Sequence, residues 1–324
     1  MSHLTYLEAI IVGAFQGVTE LFPVSSLGHS VLIPALVGGQ WAQDLNVSAT
    51  ESPYLAFIVG LHVATAAALL LFFWRDWVRI IGGFFTSIRY RRLATPAERL
   101  AWLIVIATIP VGIAGLALEH LFRTILGKPI PAAAFLLANG LVLFVGERLR
   151  RRAQATDEGA TVVMAANSGQ ETVVLRASGA GPGAAQDAGA LDAVDTRLAR
   201  MTIPQGTMIG TAQILALLPG ISRSGVTMVA GLLRGLSHED AARFSFLLAT
   251  PVILAAGALK VPDLFGPLGA GIHGQILAGS IASFATAYLS VRFLTRYFQT
   301  RTLTPFAIYC AIVGAGSLIW LSVH

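Results

Sequence analysis

Gly13-Ala-Phe-Gln-Gly-Val-Thr-Glu-Leu-Phe-Pro-Val-Ser-Ser-Leu-Gly28 and Gly210-Thr-Ala-Gln-Ile-Leu-Ala-Leu-Leu-Pro-Gly-Ile-Ser-Arg-Ser-Gly225 stand 197 positions apart and share one pattern. Gly13 aligns with Gly210, Gln16 with Gln213, Leu21 with Leu218, Val24 with Ile221, Ser25 with Ser222 and Gly28 with Gly225. Each stretch is an apolar, helix-like run interrupted at a proline. Polar side chains gather at the interruptions: Glu20, Ser25, Ser26 and His29 in the first, Ser222, Arg223, Ser224 and Thr227 in the second. Among apolar neighbours such groups are costly and mark function. A duplicated broken helix marks the place where two halves of a membrane protein meet.

Working outward, the 324 residues are 55% hydrophobic and only 12% charged, with a mean hydropathy of +0.71. A soluble domain carries about twice that charge. The chain therefore reads as an all-α polytopic membrane protein. Full spans are expected at Tyr54–Trp74, Leu100–Leu121, Pro131–Gly146, Ala241–Lys260, Gly274–Phe293 and Pro305–Leu321. Leu4–Leu36 and Met201–Leu233 contain the repeated interruptions, and each half of them is too short to span. They read as two re-entrant helical hairpins, whose non-helical backbone is tolerated only against protein or a wet cavity. Met1–Tyr6 has no basic n-region and no A-x-A-like site follows, so no cleaved leader is expected. The single Cys310 excludes an intramolecular disulfide and a Cys-based metal site.

Arginine sets the expected orientation. Arg75, Arg79, Arg89, Arg91, Arg92 and Arg99 follow the first span, Arg148, Arg150, Arg151 and Arg152 end the third, and Arg292, Arg296 and Arg301 lie between the last two. With these basic segments in the cytoplasm, the first hairpin enters from outside and the second from the cytoplasm. The result is an inverted-topology repeat: residues 1–152 as the first half, 201–324 as the second, and 153–200 as a polar cytoplasmic insert. Ala64-Thr65 matching Ala249-Thr250 supports it. In the insert, Thr161–Ala166 and Glu171–Ala177 flank Asn-Ser-Gly-Gln and read as a β-hairpin. The net charge of +5 is explained by orientation and not by nucleic-acid binding.

At each interruption proline ends one half-helix and serine caps the next. Free N–H groups and a positive dipole end result, and such an end holds phosphate. Inverted repeats aim both ends at one place. Arg223 adds a planar fork for phosphate oxygens, Glu20 a hard oxygen ligand for a divalent cation, and Ser26 with His29 a nucleophile and base. The plainer alternatives are that Ser25, Ser26, Ser222 and Ser224 are caps, that Arg223 is the partner of Glu20, and that Gln16 and Gln213 glue helices. His62 and Asn139 read as helix–helix hydrogen bonds.

Gln16-x-x-x-Glu20, Pro23-Val-Ser-Ser-x-Gly-His29, Pro219-Gly-x-Ser-Arg-Ser-Gly-x-Thr227 and Phe244-Ser-Phe-Leu-Leu-Ala-Thr-Pro251 resemble the undecaprenyl-diphosphate phosphatases of the bacitracin-resistance type over nearly the whole chain except 153–200. The resemblance implies a bacterial inner-membrane enzyme that removes the terminal phosphate of a polyprenyl diphosphate lipid. It thereby recycles the peptidoglycan carrier and confers bacitracin resistance, with a pocket open to the outer side. It also implies catalysis by Ser26, His29 and Glu20. Phosphate binding falls to Arg223, Ser25, Ser222, Ser224, Thr227 and Gln16, with Mg²⁺ or Ca²⁺ held in part by Glu20. Gln16 fills a position that the family gives to Glu or Gln, and Leu27 stands where the family often has threonine. Membrane lipid is the surrounding partner, and a homodimer is left open. The competing class is a flippase that binds the same headgroup without cleaving it. Lipid phosphatases with PSGH and SR-x5-H motifs are rejected, because Val229 stands where their second histidine would fall.

Overall fold

The computed structural model describes residues 4–39, 45, 53–121, 126–168, 196–266 and 271–323. These are helical throughout, with no strand among the described residues. Two short helices come first, α1 (Tyr6–Thr19) and α2 (Ser26–Val37). Next are α3 (Pro53–Phe72), α4 (Trp74–Tyr90), α5 (Pro96–Leu121) and α6 (Pro129–Ser168). A second short pair follows: α7 (Ile203–Ala212), continued by a 3₁₀ turn at Gln213–Leu217, and α8 (Arg223–Leu232). Then come α9 (His238–Phe265), α10 (His273–Thr300) and α11 (Thr304–Val323).

The start of each short pair is fixed by the same device. Thr5 and Glu8 form a capping box ahead of α1, and Thr202 and Gln205 form one ahead of α7. Each satisfies two orphan N–H groups reciprocally. The two boxes are again 197 residues apart, so the repeat reaches eight residues upstream of Gly13 and Gly210. Those glycines share a role. A Cβ on Gly13 would run into the backbone of Gly279 in α10, and one on Gly210 into the backbone of Ala107 in α5. Close helix contact through a small residue is the packing that apolar solvent favours. Accordingly α1 packs on α10 and α7 on α5, while α3 meets α9 and α6 meets α11. Every one of these pairs joins the first half of the chain to the second.

Helices α5, α6, α9, α10 and α11 are long and apolar enough to cross a membrane, and α3 with α4 gives a sixth span if that bent pair counts as one. The bend between them is 86°. The segment expected as a loop after the first span is therefore largely helix α4. Its Trp74, Val78, Ile81, Phe85 and Ile88 are exposed, while Asp76, Ile80, Gly83 and Ser87 face the protein. Spacings of three and four put each set on one side. An exposed apolar stripe opposite a protein-facing side makes α4 an amphipathic helix.

Ion pairs collect the basic segments at one end of the molecule. Asp76 accepts from Arg79 and Arg243, Arg197 grips Asp240, and His238 bridges Glu147 and Arg150. Phe144, Arg148, Arg151, Arg152 and Thr304 line one groove there. At the opposite end Leu4, Tyr54, Phe57, Leu61 and Ile272 form a small apolar cluster. Helix α1 thus starts at the end remote from the arginines, and α7 starts near them. The larger core lies between, around Leu69, Phe73, Leu136, Phe244, Phe246 and Leu294.

The expected β-hairpin is not formed where the structure describes it. Helix α6 runs on through Thr161–Ala166 to Ser168, and Glu171–Ala177 lies outside the described residues. A helix already nucleated by its spanning part extends at little cost, which outweighs the modest strand preference of Thr161-Val162-Val163.

Candidate active site

The two interruptions are bonded to each other. Ser25 is the N-cap of α2 and accepts from Gly28 N at 3.2 Å; Ser222 is the N-cap of α8 and accepts from Gly225 N at 3.2 Å. Ser25 Oγ also accepts from Gly220 N at 3.2 Å. In return Ser224 Oγ donates to Phe22 O at 3.1 Å, and Ser222 Oγ lies 3.4 Å from the same carbonyl. Asn139 of α6 completes the tie, donating to Pro23 O at 3.1 Å and accepting from Ser222 N at 3.0 Å. Backbone that leaves the helix among apolar surroundings must find protein partners, and these side chains supply them. Sharp turning requires positive φ in both interruptions: 114° at Gly220 and 69° at Ser25. For serine that conformation costs on the order of 1–3 kcal/mol and is kept only where the surroundings impose it.

Glu20, at the C-cap of α1, is the centre of the cluster. Its Oε1 accepts from Arg223 Nη2 at 2.8 Å. Its Oε2 accepts from Gln16 Nε2 at 3.1 Å and from the Ser26 hydroxyl. His62 of α3 brings Nε2 to 3.2 Å from Gln16 Nε2 and 3.5 Å from Glu20 Oε2. Arg223 keeps one buried nitrogen, Nη1, with no hydrogen-bond partner among the described residues. A buried guanidinium nitrogen left unpaired is costly, which makes Nη1 the donor of this cluster with a hydrogen bond still to give.

His29 is buried one turn into α2. Its Nδ1 lies 2.7 Å from Ser25 O and its Nε2 2.9 Å from Tyr309 Oη. The carbonyl fixes the proton on Nδ1, and Nε2 then accepts from Tyr309. Ser26 and His29, read from sequence as nucleophile and base, are not hydrogen-bonded to each other here: Ser26 bonds to Glu20, and His29 to Ser25 O and to Tyr309 of α11.

Of the residues singled out by sequence, Gln16, Glu20, Ser26 and Arg223 converge directly. Ser25, Ser222 and Ser224 hold the two interruptions together, and Thr227 bonds back to Arg223 O at 2.7 Å. Their hydroxyls serve the frame on which the cluster sits. His62, assigned by sequence to helix packing, belongs to the cluster, and Tyr309 was not singled out at all. Asn139, read as a helix–helix contact, does reach Cys310 Sγ of α11 at 3.3 Å, but its other bonds go to the backbone of the two interruptions. As for metal, Glu20 is the one carboxylate here, both of its oxygens already accept hydrogen bonds, and no group of three His, Cys, Asp or Glu suited to a metal exists among the described residues. The residues do not form a preassembled cation site.

An all-helical multi-pass membrane protein, with a carboxylate, a hydroxyl and a half-paired arginine where two helix breaks meet, is the class that fold and site define. The chain matches the model of the family described as bacitracin resistance protein BacA over residues 9–316, and it belongs to that family. It is 70% identical over its whole length, and 99% of the relative's, to an undecaprenyl-diphosphatase of Mycolicibacterium paratuberculosis. It is 56% identical to undecaprenyl-diphosphatase 2 of Frankia alni, covering 97% of each chain. It is 40% identical to an undecaprenyl-diphosphatase of Granulibacter bethesdensis, covering 97% of this chain and 96% of that one.

Proposed function

We propose that this protein is an undecaprenyl-diphosphate phosphatase, releasing inorganic phosphate and the lipid monophosphate carrier that peptidoglycan synthesis reuses. By converting diphosphate to monophosphate it leaves less of the form that bacitracin sequesters. The observation that carries this reading is the buried, unpartnered Nη1 of Arg223 beside a serine hydroxyl already bonded to a carboxylate. Arg223 and the free N–H groups at the starts of α2 and α8 meet the charge of the terminal phosphoryl group. Ser26 is oriented to attack it, with Glu20 as the first acceptor of its proton. The lipid phosphate is a good leaving group, so position and charge stabilisation carry most of the rate.

α1–α2 and α7–α8 are re-entrant hairpins entering from opposite faces, and the halves 1–152 and 201–324 form an inverted repeat. The matched capping boxes, matched glycines and exchanged helix pairings support this. The arginine-rich end faces the cytoplasm, which places the insert 153–200 there and the entry of α1 on the outer side of the bacterial inner membrane. Mg²⁺ or Ca²⁺ would be held in part by Glu20, the carboxylate of the cluster, and would supply positive charge against the phosphate oxygens. Phosphate release from farnesyl diphosphate by purified protein tests the activity. Headgroup binding without release would favour a flippase instead.

A further inference from the structure

We infer that a basic groove along the C-terminal turns of α10 binds the headgroup phosphate of an anionic phospholipid. The inference stands apart from the phosphatase reading and uses none of the residues assigned to it. Arg292, Arg296 and Thr300 follow one another at intervals of four, so they share one face of α10. Arg301, the C-cap residue, closes the end of that face. These four line a groove of about 460 Å³, and no acidic side chain lines it among the described residues. All three arginines are exposed, and none makes an ion pair or a side-chain hydrogen bond among the described residues. Elsewhere at this end of the molecule arginines are matched: Arg243 on Asp76, Arg197 on Asp240 and Arg151 on Glu147. In the groove beside Thr304, Glu147 answers Arg151 and the Phe144 ring lies under Arg148.

Two plainer causes account for only part of this. The dipole of α10 favours a cation at Arg301, but its effect fades within the last turn. No basic residue sits in that turn, and Arg292 lies two turns from the helix end. Orientation in the membrane asks for positive charge on this segment, not for its convergence on one groove. Like charges one turn apart on a helix repel, and an anion between them reverses the sign. Each guanidinium presents a planar fork for two phosphate oxygens. Leu289, Phe293 and Tyr297 run beside the arginines at the same spacing and line the same groove, with Leu289 and Phe293 exposed. An apolar strip beside a cationic one matches the two parts of an amphiphile, whereas a free anion would use the cationic strip alone. Basic pockets at the ends of membrane-spanning helices hold anionic headgroups by this means.

The wall of the groove also reaches the frame of the candidate active site. Phe293 stacks on Phe22 with ring centroids 6.0 Å apart and planes 3° from parallel. Phe22 and Tyr297 both pack edge-on with Phe306. Phe22 O is the carbonyl to which Ser224 donates across the two interruptions. A lipid lying along Leu289, Phe293 and Tyr297 therefore braces an aromatic stack that ends at the first interruption. Its binding should appear as added stability of the whole protein, because a ligand of the folded state stabilises it by mass action.

The test titrates full-length protein in neutral detergent with dioctanoyl phosphatidylglycerol, dioctanoyl phosphatidylcholine or inorganic phosphate while melting is followed. The phosphatidylglycerol should raise the melting temperature saturably by several degrees, and the other two should not. The triple variant Arg292→Gln/Arg296→Gln/Arg301→Gln should need about 10-fold more phosphatidylglycerol or above for the same shift. Its phosphate release from farnesyl diphosphate, without added lipid, should stay near wild type. Arg296→Gln alone, in the middle of the groove, should need about threefold more and serves if the triple variant does not fold. Equal shifts with the two lipids, or an Arg296→Gln protein that responds as wild type, would overturn the site. A shift with inorganic phosphate as large as with lipid would make it a free-anion site and overturn the lipid. A triple variant with a raised KM for farnesyl diphosphate and an unaltered lipid response would give the groove to the substrate instead. An inactive wild type would remove the phosphatase reading and leave the lipid titration standing.

Discussion

Ser26 and Arg223 occupy the same place in the two repeats. They stand 197 residues apart, each is the first residue of a helix after a serine N-cap, and each donates to a different oxygen of Glu20. One repeat contributes the hydroxyl and the other the guanidinium. The duplicated frame therefore carries two chemistries at equivalent points, and the single carboxylate between them, which falls opposite Leu217 in the alignment, makes the site asymmetric.

Removing either partner should be severe, for different reasons. Arg223→Ala loses the free Nη1 and leaves Glu20 without its cation, so phosphate release should fall by about 10²-fold or more. Arg223→Lys should remain well below wild type, because a single ammonium cannot hold Glu20 and a phosphate oxygen as a fork does. Ser26→Ala should match the arginine loss if Ser26 is the nucleophile. Steady-state release from farnesyl diphosphate measures all three, and a Ser26→Ala enzyme at half the normal rate would transfer the attack to water.

His29 and Tyr309 form a separate pair. Tyr309→Phe removes one hydrogen bond, worth about 1 kcal/mol, and should cost only a few-fold in kcat. His29→Ala should cost far more, since it also removes the group anchored to Ser25 O at the strained turn. Comparing the two in the same assay reads this out. Equal losses would mean that His29 acts only through the tyrosine.

Asn139 ties the two interruptions, so its loss should appear as instability rather than as a rate defect. Asn139→Ala leaves Ser222 N without its acceptor and removes the amide donor from Pro23 O. Each buried group left unsatisfied costs about 1–3 kcal/mol. Melting in detergent should shift down by several degrees while the surviving enzyme keeps its KM. An unchanged melting temperature would show that these groups find other partners.

Much of this arrangement was legible in the sequence. The repeat, the breaks and the convergence of Gln16, Glu20, Ser26 and Arg223 follow from aligned positions, and Thr5-x-x-Glu8 against Thr202-x-x-Gln205 would have lengthened the match. Helix α4 is masked in the sequence by its arginines, which signal orientation, although Trp74, Val78, Ile81, Phe85 and Ile88 carry a helical spacing. That Ser26 bonds to Glu20 and His29 to Tyr309 has a backbone reason. Residues three apart share a helix face, but which neighbour that face meets depends on the turn before it, and serine gives no sign of a φ of 69°. His62 lies 42 residues from Glu20 in a uniformly apolar helix, where no periodicity reveals which side faces the site.

Metal dependence should follow the substrate and not the resting protein. With one carboxylate in the cluster and no group of three metal-ligating side chains among the described residues, chelated and dialysed protein should retain no stoichiometric Mg²⁺ or Ca²⁺ by elemental analysis. Phosphate release should stop in EDTA and return when either cation is added. Full activity in chelator would discard the cation, and a tightly retained ion would mean that Glu20 anchors it permanently.

The orientation is testable at two exposed positions at opposite ends. Ser322 is near the end of α11 and Gln154 lies past the arginine cluster of α6, and both are exposed. The ion pairs and groove that gather Arg148–Arg152, Asp76, Arg243 and Thr304 put Gln154 at the arginine-rich end, and α11 runs away from that end toward Ser322. Positive residues are retained in the cytoplasm, so Ser322 should face outward. Single cysteines at these positions, in a Cys310→Ser background, should report this with an impermeant maleimide on intact spheroplasts. Ser322→Cys should label at once and Gln154→Cys only after lysis. The same result fixes which leaflet feeds the site, because α1 starts at the Ser322 end and leads inward to Glu20 at its C-cap and to Ser26 at the start of α2. Labelling of Gln154→Cys in intact spheroplasts would reverse the orientation and turn the entry of α1 toward the cytoplasm.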